Sequence, residues 1–121
     1  MAADKRLGEL LDIVVAEGGS DLHLSVFGPP ILRVSGALVP LNKYQALTAS
    51  ETETMLRSIV PPERWDSFQE NQTIDLSYAH KTDVRFRING YRAQGATALA
   101  LRLIPRAVQT FTELNLPSVL E

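Results

Sequence analysis

Cysteine is absent, so the chain can hold no disulfide and offers no thiolate to a metal. Histidine is scarce, with only His23 and His80. A metal centre needs three or four ligands, so none is expected. No apolar run approaches the roughly 18 residues of a membrane-crossing helix. The opening Met1-Ala2-Ala3-Asp4-Lys5-Arg6 leads into an amphipathic stretch instead of an apolar signal core. Neither sign of charge dominates: 12 Lys and Arg face 14 Asp and Glu, for a net charge of −2. A domain that grips nucleic acid is usually basic, so nucleic acid is not an expected partner. The common phosphate cradles are missing, since neither G-x-x-x-x-G-K-[ST] nor G-x-G-x-x-G occurs. No serine sits in a G-x-S-x-G nucleophile turn.

What remains is a chain of 121 residues, 45% hydrophobic and 21% charged, enough for one domain with a real core. Leu7, Leu10, Leu11, Val14 and Val15 fall at helical spacing, and Gly18-Gly19 stops that helix. Strands are expected at 21–26 and 31–35, separated by Phe27-Gly28-Pro29-Pro30. A third, over 37–41, is confined to an edge or ended early by Pro40, which has no amide hydrogen. Thr48-Ala49-Ser50-Glu51 matches a capping box and opens a helix that ends at Pro61-Pro62. Pro62 then opens another, to about Asn71, whose Trp65 and Phe68 are core residues. Alternation marks strands at 73–78, 83–89 and 97–104, with a polar turn at 79–82 that includes His80. Helices and antiparallel strands interleave without a βαβ rhythm, which indicates α+β. The end at Leu120-Glu121, without a closing cap, looks like the edge of a fragment.

Two constellations stand out. Asp21, His23 and Ser25 share one face of the first strand, because side chains alternate. Catalysis is one use for an acid and an imidazole at that spacing. The plainer use is structural: Asp21 accepts backbone amides, and His23 contacts a neighbouring element. For want of partners the plainer use stands ahead.

Arg85, Arg87, Arg92 and Arg102 form the second constellation. A hairpin turning at Gln94-Gly95 sets Arg87 opposite Arg102, Ile88 opposite Leu101 and Phe86 opposite Leu103. A turn at Asn89-Gly90, the stronger local hairpin signal, would pair Arg87 with Arg92 and break the alternation. The first register is preferred. Like charges directly opposite destabilise a sheet. Paired guanidinium groups therefore suggest an anion above them, and the arginine fork suits phosphate. Solvated arginines that spread apart, or acids that neutralise them, are the simpler account. Lys5-Arg6-Leu7-Gly8-Glu9-Leu10-Leu11 resembles the start of a cyclic-dinucleotide-binding helix of some assembly ATPases, though a solvated helix start explains it as well.

Several segments, in order, resemble one family. Glu17-Gly18-Gly19-Ser20-Asp21-Leu22-His23-Leu24-Ser25 is similar to the opening of the type IV pilus retraction ATPases, the PilT-like branch of the secretion ATPase superfamily. Pro29-Pro30-Ile31-Leu32-Arg33-Val34-Ser35-Gly36, Asp75-Leu76-Ser77-Tyr78, Arg85-Phe86-Arg87-Ile88-Asn89 and Leu101-Arg102-Leu103-Ile104-Pro105 continue the likeness. Leu114-Asn115-Leu116-Pro117 resembles the approach to the motor domain. Residues 42–72 match only loosely.

The resemblance implies a PAS-like N-terminal domain over 1–105, a mostly antiparallel sheet with flanking helices. Residues 106–121 would be a linker toward a RecA-like motor domain that this sequence does not contain. In such hexamers the N-terminal domain packs on the neighbouring subunit's motor. Arg87 and Arg102 are then the residues implied to face the nucleotide phosphates. Asp21, His23, Arg85 and Arg92 are candidates for interface or structural roles, on their own chemistry and not by the resemblance. ATP, with Mg, would be bound mainly by the motor, at pilus machinery on the cytoplasmic side of the inner membrane. The Walker loop, catalytic glutamate and His box have no positions here, so the fragment alone is expected to be non-catalytic. Three rivals remain: a stand-alone PAS-like sensor with a ligand between sheet and helices, a domain of a related pilus-assembly or type II secretion ATPase, and a single-strand nucleic-acid binder using Arg85, Arg87, Tyr91 and Arg92.

Overall fold

The computed structural model describes residues 4–81 and 84–104. The expected linker at 106–121 lies outside the described residues.

Helix α1 spans Lys5–Ala16. Asp4 caps it, its carboxylate accepting from the amides of Arg6 and Leu7 at 3.0 and 3.3 Å. The two glycines that end it do different jobs. Gly18 takes φ +69°, a left-handed conformation that favours glycine. Gly19 passes so close to the sheet that a Cβ there would lie 2.6 Å from Leu32 Cδ1. Strands β1 (Asp21–Leu24), β2 (Ile31–Val34) and β3 (Ala37–Pro40) follow.

Helix α2 (Ala49–Ile59) begins in the expected capping box, with Thr48 and Glu51 each bonded to the other's amide. Pro62 opens α3 (Pro62–Asn71). The chain ends its described part in three long strands, β4 (Thr73–His80), β5 (Val84–Ala93) and β6 (Ala96–Ile104).

All six strands form one sheet in the order β3-β2-β1-β6-β5-β4, and every neighbouring pair is antiparallel. The first and last strands thus lie side by side in the middle. Leu22, Leu24, Phe86, Ile88, Leu99 and Leu101 alternate onto one face. There they join Leu7, Leu10, Leu11 and Val14 of α1, Met55, Leu56 and Ile59 of α2, and Trp65 and Phe68 of α3 in a single core. Each enclosed Leu or Phe contributes about 1.5–3 kcal/mol relative to exposure. The fold is α+β, with the helices on one face and the other face left open among the described residues.

The hairpin β5–β6 turns at Gln94-Gly95, in the expected register. Asn89-Gly90 runs straight through β5 because tertiary packing overrides the local turn signal. Gly90 is the spot where α2 rests on the sheet, and a Cβ there would come within 2.6 Å of Leu56 Cδ2. The glycine serves close approach instead of a bend. His80 also departs from expectation. It is the last residue of β4, not part of a polar turn. It is buried against Phe86 and bonded to Asp12 of α1 at 2.8 Å. Pro40 ends the edge strand as expected. Leu41 N–H donates inward to Pro30 at 2.8 Å, so alternation turns the positions of Leu38 and Pro40 outward. Of those two, only Leu38 has an amide hydrogen.

Candidate functional site

The open face is built of transverse rows that the strand registers align. One row runs Arg33 (β2), Asp21 (β1), Arg102 (β6), Arg87 (β5) and Ser77 (β4). The next runs Ile31, His23, Ala100, Asn89 and Asp75. Period-two alternation alone puts these side chains on the face away from the helices. Along the first row the charges read plus, minus, plus, plus.

Asp21 is the hub of the row. Its carboxylate accepts from Arg102 Nε at 3.0 Å and from Ser20 Oγ at 2.7 Å, and lies 4.0 Å from Arg33 Nε. Its side chain is only 15% exposed, against 75% for Arg102. Partial burial is the largest single influence on Asp21 and works to raise its pKa. The hydrogen bonds from Ser20 and Arg102, with the charges of Arg102 and Arg33, outweigh it and hold the carboxyl below its ordinary value. Arg87, directly opposite Arg102, is exposed and makes no ion pair among the described residues. Asp75 accepts from the Asn89 amide at 3.2 Å. Asp21, His23, Asp75, Arg87, Asn89 and Arg102 line a shallow cup of about 290 Å³, floored by Ala100. His23 is exposed on its rim and also borders a second hollow, with Ile31, Leu38 and Tyr91.

Two of the sequence-flagged arginines sit apart from this cup. Arg85 shares the open face but bonds Ser77 Oγ at 3.2 Å. Arg92 lies on the helix side, seven residues from Arg85 and therefore on the opposite face. It stacks 4.8 Å above the Phe68 ring and bonds Gln69, Thr97 and Glu53. Arg92 is thus a clamp between β5 and the helices, and the four arginines are not one cluster. The sequence reading passed over Arg33, and nothing local marks it: it meets Asp21 only because β1 pairs with β2. The link from His80 to Asp12 was equally hidden, since it needs β4 to run two residues further. That contact and the one from Lys81 hold the Asp12 carboxyl below its ordinary value, the His80 hydrogen bond contributing most.

Searches of known proteins give the arrangement a context. No family model matches the chain. The type IV pilus ATPase PilU of Pseudomonas aeruginosa is 30% identical over 113 residues, covering 93% of this chain and 29% of PilU. The type IV pilus retraction ATPase PilT of the same organism is 31% identical over 111 residues, covering 92% of this chain and 32% of PilT. The crystal structure of the pilus retraction motor PilT with bound ADP superposes with a TM-score of 0.78 at 29% identity, over 93% of this chain and 33% of that one.

The chain is a homologue of the PilT-like type IV pilus ATPases. It spans about a third of their length, and its fold is that of the PilT N-terminal domain. The ATPase DotB of Legionella pneumophila shares the fold as well, with a TM-score of 0.70 at 24% identity. No described helix is long and apolar enough to cross a membrane.

Proposed function

We propose that this chain is the N-terminal domain of a hexameric, PilT-like pilus retraction ATPase that works from the cytoplasm on pilus machinery at the inner membrane. Its open sheet face packs on the motor domain of the adjacent subunit. There Arg87 and Arg102 meet the phosphates of ATP, whose Mg and nucleotide pocket belong mainly to that motor. The observation that carries this reading is the register pairing of Arg87 with Arg102 on a sheet face that no element covers among the described residues, in a homologue of PilT. A guanidinium held beside the terminal phosphate offsets charge that develops in phosphoryl transfer and separates ATP from ADP.

By itself the domain is non-catalytic. It transmits nucleotide-driven motion between subunits. In the full-length protein, Arg87→Ala should lower ATP turnover by about 10- to 100-fold while hexamers persist. Turnover and light scattering measure the two outcomes, and wild-type turnover in both Arg87→Ala and Arg102→Ala would remove the phosphate role. The rival small-ligand sensor needs space between sheet and helices, which Leu56, Phe68, Phe86 and Ile88 fill. The rival nucleic-acid surface loses Arg92, which faces the helices.

A further inference from the structure

The charge row on the open face has an asymmetry that the pairing of two arginines does not explain. Asp21 is bracketed by Arg33 and Arg102, and it holds Arg102 at 3.0 Å. Arg87 is the last charge of the row, between Arg102 and Ser77, and has no such partner among the described residues. The second acid of the cup, Asp75, is bonded by Asn89. The cup therefore contains one arginine already answered by a carboxylate and one that is not.

We infer that Asp21 is the specificity-determining residue of this anion site, which it restricts to multiply charged phosphates. The inference rests on the reading that Arg87 and Arg102 contact phosphate. A ligand carboxylate that reached Arg102 would only replace Asp21, an equal anion. Asp21 has the advantage of being tethered, which acts as a high local concentration. A singly charged ligand thus gains Arg87 alone and is repelled by two nearby carboxylates. A phosphate chain carries more charge and several acceptor oxygens. It bridges Arg87 and Arg102 together and draws Arg102 off Asp21. Asp21, by holding Arg102 across the strand from Arg87, also keeps the second fork within reach of the first.

The test is a nuclear magnetic resonance titration of the 121-residue chain, following the Nε–Hε signals of Arg87 and Arg102. The probes are inorganic pyrophosphate and acetate at matched ionic strength. In the wild type, pyrophosphate should move both signals, and acetate should move that of Arg87 at most. In Asp21→Asn, acetate should move Arg102 as well, and pyrophosphate should bind about three- to tenfold more tightly, as expected for removing one nearby charge at a wet site. Asp21→Ser, read the same way, serves if the amide variant fails to fold. If pyrophosphate binds both forms equally, or acetate never reaches Arg102 in either variant, Asp21 does not set the specificity, although the phosphate contact stands. If pyrophosphate moves neither arginine in any form, this inference falls, while the phosphate role in the assembled ATPase is judged separately by the turnover of full-length Arg87→Ala and Arg102→Ala.

Discussion

Phe86 and Arg87 are neighbours in β5, yet they live under different physics. Phe86 is wholly enclosed beneath the helices, with Ile88 and Leu101 beside it on the same face. Arg87 faces solvent in a row of polar side chains. The covered face is held by shape: its side chains interlock, and a glycine is needed where α2 comes nearest. The open face is arranged by charge, with few apolar contacts, so its residues are free to be chosen for a partner. One strand pays for both, because the pleat separates them by a single peptide bond.

The contrast can be broken at three strengths. Phe86→Ala should destabilise the domain by about 3–5 kcal/mol in denaturant unfolding, from lost burial and the cavity left behind. Arg87→Ala in the same measurement should stay within about 0.5 kcal/mol of wild type. A comparable loss at both sites would show that the open face also holds the fold. Gly90→Ala is the intermediate case. Its Cβ meets the Leu56 side chain, and the repacking should cost about 1–3 kcal/mol. An unchanged melting temperature would mean that α2 can slide away from β5.

The smallest effect concerns pH. The folded Asp21 pKa is lowered, so its ion pairs stabilise the domain above the ordinary carboxylate value of 3.8, and that contribution is lost as pH falls through the lower folded value. Its size is about 0.5 kcal/mol, given how exposed Arg102 is. Thermal melts at pH 6 and pH 3 should therefore converge slightly for Asp21→Asn relative to wild type. Identical pH dependence in the two proteins would mean that the ionised Asp21 adds no stability through its ion pairs. Asp12 and Glu51 are also lowered, Glu51 chiefly by the Thr48 backbone amide, so acid lability persists in the variant.

The strands and their faces were legible in the sequence because alternation is a local signal. Pairing the apolar sets of 84–88 and 101–103 was enough to place Arg87 against Arg102. The capping box and the proline at the start of α3 were legible for the same reason. Three features were not. Asn89-Gly90 reads as a turn unless the packing of Leu56 is known, and a strand that runs through it is what turns Arg92 to the helix side. His80 looks polar and exposed until α1 supplies Asp12. The bond between Asp21 and Arg102 joins residues 81 apart, and no local pattern announces that the first strand lies beside the last.

That adjacency sets an order of events for the chain as it is made. The β1–β2–β3 meander and the β4–β5 hairpin are sequence-local and can close early. The seam between them is β6, which pairs with β1 on one side and β5 on the other. Until the ribosome has delivered residues 96–104, the two pieces have nothing to join them, and the inner edges of β1 and β5 stand open. Joining distant segments is the slow part of folding such a topology. The pairing of β1 with β6 at the centre of this sheet therefore carries its largest loop-closure cost, and the strands that end up best protected are those whose shared partner leaves the ribosome last.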